Sequence, residues 1–291
     1  MRNKRYVKPK DKERITKETT KTIQESTLMD DIFFRICAED QKEVVRLIIA
    51  EILQRPELEI EDYHVQHHID NYSGRSIIVD AFARDTKTGA TLNVEVQKST
   101  DNNIPQRARY HSAILDTQRG LKKGQTFDKL NQSVVIFLCS DDILEKGKIL
   151  YRITRKTDDN EPFNDGSQIL ILNCSYKDES ITDEQTERIM NLIKDLNQPD
   201  PNKMHYKALA EAVREKKERI REEEAMNIFD KAYEDGRIDG IEEGIEKGII
   251  EGSKQTSIET AKKLLALGKL SIDDIAESTS LPIETIKELA G

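Results

Sequence analysis

Residues 76–99 read SIIVDAFARDTKTGATLNVEVQKS, two alternating apolar strands around a polar turn that contains a glycine. A four-residue loop, Thr86 to Gly89, closes such a hairpin if Gly89 takes the positive φ these loops favour. Asp85 then faces Ala90, and counting back sets Asp80 directly opposite Glu95. Side chains alternate between the faces of a strand, so Glu95 and Gln97 share one face. Opposed residues have Cβ atoms about 4.5–5.5 Å apart, which brings two carboxylates together on a mostly apolar hairpin. A divalent cation relieves their repulsion, and hard oxygen ligands suit Mg²⁺ or Mn²⁺. The plainer reading is a pair of solvated, outward carboxylates; the apolar flanks and the basic segment that follows count against it.

Working outward, residues 28–53 (LMDDIFFRICAEDQKEVVRLIIAEIL) carry apolar positions at helical spacing, with a break near Ala38-Glu39-Asp40 that predicts two helices. Strands are expected at about 60–69, 76–84 and 91–98, then a helix after Pro105 through RARYHSAILDTQRGLKKG. SVVIFLC (133–139) reads as a buried strand, with further strands near 149–155 and 168–174 and helices at 183–196 and 203–234. The fold class is therefore α/β, with an all-helical C-terminal extension. The expected divisions are a flexible basic arm (1–26), a core domain (27–200), a charged helix with a glycine-spaced segment (201–255) and a small helical tail (256–291).

Charge is uneven along the chain. The net charge is −9, yet Lys98 to Lys129 carries seven Lys or Arg against three Asp. Acidic residues dominate from Glu211 to Glu251. No apolar run approaches the roughly 18 residues of a spanning helix, and the basic N-terminus lacks the apolar stretch of a secretory signal. Cys37, Cys139 and Cys174 stand apart among apolar neighbours, which predicts reduced core thiols and a cytoplasmic protein.

The order helix, strand, Asp80 strand, ExQ strand, helix resembles the PD-(D/E)XK nuclease superfamily. More narrowly, DDIFFRI (with Asp31, Phe34 and Arg35), VDAFARD, NVEVQ, the RARYHSAIL helix with Arg107 and Tyr110, SVVIFLC and QILILNCS are similar to the bacterial recombination-promoting nuclease/transposase family. The resemblance implies a restriction-endonuclease-like core and a Mg²⁺-dependent endonuclease of low sequence preference, acting on duplex DNA in recombination or mobile elements. It assigns Asp80, Glu95 and the main-chain carbonyl of Val96 to metal, Gln97 to the attacking water, and Asp31 to a ligand through water. Asp30 competes with Asp31, and either suits a helix N-cap. Val79 stands where the superfamily has proline. Gln97 stands where it has lysine, and glutamine hydrogen-bonds without lending charge. Lys98, next door, points to the other face. The runner-up reading is a nuclease-like module that binds DNA or protein through its helical tail without cleaving.

Arg107, Arg109, Arg119, Lys122 and Lys123 are candidate phosphate contacts beside the carboxylates, with Tyr110 among them; a solvated helix face is the competing reading. His64, His67 and His68 in HVQHH read as a polar edge strand, with His64 and His68 on one face and His67 on the other. Gly236, Gly240, Gly244, Gly248 and Gly252 recur every fourth residue, and with the flanking isoleucines they favour self-association through 207–252 over a pliable connector. In the tail, Ser271 suits an N-cap, and Ile275, Ala276, Ile283 and Ile286 suit a small core. PIETIKELA offers only Lys287 against Glu284 and Glu288, so a small packing or partner-binding module is favoured over a DNA-reading helix.

Overall fold

The protein was analysed as a computed structural model, which describes residues 21–69, 76–98, 103–121 (118 and 119 by backbone alone), 123–178, 180, 183–219, 255–267, 270–279 and 281–290. The chain divides into two compact units, residues 1–226 and 227–291.

In the first unit, helices α1 (Asp31–Glu39) and α2 (Lys42–Leu53) meet at the expected break. Strands β1 (Ile60–Ile69), β2 (Ile77–Asp85) and β3 (Thr91–Gln97) follow as an antiparallel meander. Helix α3 (Ile104–Leu115) crosses over to β4 (Ser133–Cys139), which lies parallel to β3. Strands β5 (Leu150–Ile153) and β6 (Ser167–Asn173) complete a six-stranded sheet of order β1-β2-β3-β4-β6-β5. Every residue of β3 and β4 is buried, as strands covered on both faces require.

The β2–β3 hairpin has the expected register. Ala81 opposes Val94, Phe82 opposes Asn93, Ala83 opposes Leu92 and Arg84 opposes Thr91, so one further step sets Asp80 against Glu95. The Asp85 N–H donates to the Ala90 carbonyl (2.9 Å), the Gly89 N–H donates to the Asp85 carbonyl (2.9 Å), and Gly89 has φ +68°. The Asp85 carboxylate locks the turn by accepting from Lys87 N–H at 2.8 Å and from Arg55 Nη1 at 2.5 Å.

Alternation fails in β1. Asp62 and Gln66 have φ of 47° and 51°, and the register slips between Glu61 and His64. His67 therefore stacks on His64 at 4.6 Å beside Phe82, where period two would set the two histidines on opposite faces. The strand is still the polar edge of the sheet. The third helix also departs from expectation: it stops at Leu115 and continues as one π-turn, Asp116–Gly120. Gly120 abuts the segment leading into β4, where a Cβ would lie 2.5 Å from Leu130 Cδ1.

Helix α4 (Glu184–Leu196) is joined to α2 by a bidentate pair, Arg188 to Glu51, at 2.6 and 2.8 Å. Helix α5 (Lys207–Arg219) packs on α1 and α2, so the first unit runs past residue 200. Lys217 Nζ donates to the carbonyls of Gln24 (2.7 Å), Ser26 (2.9 Å) and Pro199 (2.5 Å). Residues 21–25, read as the end of a flexible arm, are accordingly helical, and Ile23 is buried. Cys37, Cys139 and Cys174 are free thiols in the core.

The second unit has a helix over 255–267, then α6 (Ile272–Thr279) and α7 (Ile283–Ala290). Ser271 and Asp274 cap α6 reciprocally: Asp274 N–H donates to Ser271 Oγ (3.1 Å), and Ser271 N–H to Asp274 Oδ2 (3.2 Å). Its core is Ala261, Ile275, Ala276 and Ile286, with Leu281 against it. Ile283, expected inside, is exposed, because the turn through Leu281 supplies that contact instead. The glycine-spaced segment lies outside the described residues. Among the described residues no helix is long and apolar enough to cross a membrane.

Candidate active site

Asp80 and Glu95 are 4% and 3% exposed, so the hairpin buries two carboxylates where its strands face each other. Burial first, and Glu95 second, push the Asp80 carboxyl up to about 7, while Arg35 and the Val96 N–H pull it down. Arg35 arrives from α1 and grips Asp80 Oδ1 with Nε and Nη2, both at 2.9 Å. The Val96 N–H donates to Asp80 Oδ2 at 2.8 Å. Both Asp80 oxygens thus have donors, and the rotamer is fixed.

Glu95 is held from the other side. Helix α3 covers the sheet face that carries Asn93, Glu95 and Gln97, and His111 Nδ1 reaches 3.2 Å from Asn93 Nδ2 and 3.4 Å from Glu95 Oε1. The second approach lacks hydrogen-bond geometry, and Glu95 Oε1 is a buried oxygen with no hydrogen-bond partner. Such an oxygen costs about 1–3 kcal/mol when left unpaired. Arg107, one turn earlier, places Nη2 3.9 Å from Glu95 Oε2 and donates through Nη1 to Gln97 Oε1. Its guanidinium lies 5.7 Å over the Phe137 ring. Two carboxylates therefore face two guanidiniums.

The donor set fits a hard divalent cation: two carboxylates, one with a spare oxygen, and the Val96 carbonyl between Glu95 and Gln97 in the chain. No cluster of three or more His, Cys, Asp or Glu side chains is spaced for a metal among the described residues, so main-chain, water or phosphate oxygens would complete the shell.

The other candidates are dispersed. Asp31 opens α1 and pairs with Arg35 at 3.7 Å, so it touches Asp80 only through that guanidinium. Asp30 is the N-cap position without a side-chain cap; it accepts from Thr27 N–H at 2.8 Å and pairs with Lys98. Arg109 is exposed on α3, and Tyr110 is half-buried against the apolar cluster beneath the helix. Lys123 is exposed beyond the π-turn. The Arg119 side chain and Lys122 lie outside the described residues. Arg35 and His111 were not among the candidates. Arg35 is 45 residues from Asp80 and His111 is 18 from Asn93, and only the fold joins them. The i, i+4 spacing of Arg107 and His111 was the one available signal.

An antiparallel hairpin leading into a parallel crossover, with opposed carboxylates at its open end, defines a restriction-endonuclease-like nuclease fold. The chain belongs to the PD-(D/E)XK nuclease family transposases, whose family model matches residues 28–236. Membership implies a nuclease-type hydrolase in a mobile-element role, with DNA as the substrate class and a divalent metal ion as the usual cofactor. No curated protein and no solved structure matches the chain.

Proposed function

We propose that the protein is a Mg²⁺-dependent endonuclease that hydrolyses duplex DNA with little sequence preference, in recombination or the movement of genetic elements. The observation that carries this reading is the buried, facing Asp80–Glu95 pair, in which Glu95 Oε1 has no hydrogen-bond partner. A module that only binds DNA has no use for it. Asp80, Glu95 and the Val96 carbonyl would hold Mg²⁺, with Mn²⁺ as a substitute. The ion supplies a water of lowered pKa and neutralises phosphate charge. Arg35 and the Val96 N–H fix Asp80 for this task, and His111 with Asn93 confines Glu95. Exposed Arg109 and Lys123 would grip the duplex backbone.

Plasmid nicking by the purified protein in Mg²⁺, Mn²⁺ or EDTA, beside Glu95→Ala, tests the assignment. Cleavage should need metal and vanish in the variant. Folded protein that binds DNA yet cleaves with neither metal would instead be the binding module.

A further inference from the structure

We propose that the Gln66 side-chain amide is a substrate contact of the hydrolytic site, donating a hydrogen bond to a nonbridging oxygen of the phosphate under attack. This rests on the reading of the hairpin as a hydrolytic site.

The register of the outermost strand places Gln66 there. Val65 pairs with Ala81 and His67 with Val79, so the position between sets Gln66 against Asp80, and the ladder skips that pair. Residues opposed across antiparallel strands have Cβ atoms about 4.5–5.5 Å apart. Gln66 is therefore the β1 neighbour of Asp80, as Glu95 is its β3 neighbour. Asp80 has no need of the amide, because its oxygens accept from Arg35 and from the Val96 N–H. Gln66 is half-buried at the border of the sheet, within reach of a ligand that approaches the carboxylates.

The backbone at this position is held against its preference. Gln66 has φ +51°, a region in which Cβ crowds the following carbonyl. A kink that served the chain path alone would be met best by glycine. This one is clamped from both sides: pairing resumes at His67, whose ring stacks on His64 at 4.6 Å and lies 5.8 Å from Phe82. Strain held in place by its surroundings clusters at active sites and ligand clamps. The residue type suits the task as well. Phosphate brought to two carboxylates needs donors that those carboxylates do not consume. A lysine or arginine opposite Asp80 would compete with Arg35 for it, whereas an amide donates without carrying a charge to be cancelled.

The test is single-turnover cleavage of a labelled duplex in Mg²⁺ by wild type, Gln66→Gly, Gln66→Ala and Gln66→Glu. Urea unfolding and duplex affinity across a salt series, both in EDTA, accompany it. Gln66→Gly keeps the kink and removes the amide. It should slow cleavage about 10–10²-fold and unfold cooperatively, at a midpoint no lower than that of Gln66→Ala. Gln66→Glu preserves the shape and loses the donor, so it should be at least as slow as Gln66→Gly. Affinity should fall by less than about tenfold, with the salt slope unchanged, because an amide displaces no counterion. A glycine or glutamate variant that cleaves at the wild-type rate overturns the proposal. So does a glycine variant that is slowed and also loses cooperative unfolding, since the residue would then serve the fold. If the alanine variant does not fold, the glycine and glutamate variants decide. Wild type that does not cleave in metal overturns the hydrolytic reading itself, and this contact with it.

Discussion

Both oxygens of Asp80 accept from the protein, while one oxygen of Glu95 accepts from nothing. A carboxyl whose pKa is higher in the fold than in the unfolded chain binds its proton more tightly when folded. In metal-free protein the stability tied to the Asp80 proton is whole below about pH 4 and is lost as pH rises through about 7. Glu95→Gln removes the neighbouring charge. In EDTA at pH 8 that variant should be more stable than wild type by on the order of 1–2 kcal/mol, with the gap narrowing toward pH 4.5. Mg²⁺ should raise the melting temperature of wild type and not of the variant. Calorimetry in EDTA and in Mg²⁺ reads both, and identical wild-type and variant curves at pH 8 would argue against carboxylate repulsion. Arg35→Ala leaves Asp80 buried without its cation. Since Arg35 is itself partly exposed, the expected loss is about 2 kcal/mol, below the value for a fully buried pair. Urea denaturation measures it, and Mg²⁺ should restore part of it. Asp80 and Glu95 were legible because a strand hairpin is a counting problem. Arg35 and His111 were not, because tertiary packing delivers them from helices whose landing point no local pattern specifies.

The hairpin turn shows what local chemistry can fix at the scale of an element. Gly89 has positive φ, so the backbone favours glycine, while a Cβ there would meet only the Asn131 side-chain end, at 2.8 Å from Nδ2. Gly89→Ala should cost about 1–2 kcal/mol in urea denaturation, and an unchanged midpoint would show that the turn relaxes freely. Strand β4 was equally readable, since seven consecutive apolar or small residues suit a strand buried on both faces. Strand β1 misled because two non-glycine residues adopt left-handed conformations, and nothing in HVQHH announces them. The basic helix misled differently. The regular helix ends at Leu115 and a π-turn follows, so Arg107 and Lys123 do not share one continuous helix.

At the scale of the molecule, the two units have separate cores, and the described residues of the first make a complete sheet with its covering helices. A chain ending at residue 226 should therefore unfold cooperatively, within a few degrees of the first-unit transition of the full protein, as calorimetry would show. Loss of cooperativity would mean that the tail completes the core. Composition and charge pointed to a helical tail, but they could not reveal that α5 belongs with α1 and α2, because its buried face is short and heavily charged. The left-handed residues of β1 also bear on how copies of this chain behave in crowded solution. An unguarded outer strand is a template on which foreign β-structure grows. Here one border of the sheet is bent by Asp62 and Gln66, and at the other, four-residue β5 sends Arg152 across to the Ile52 carbonyl. Among the described residues, neither border offers a straight ladder for fibril seeding or strand exchange.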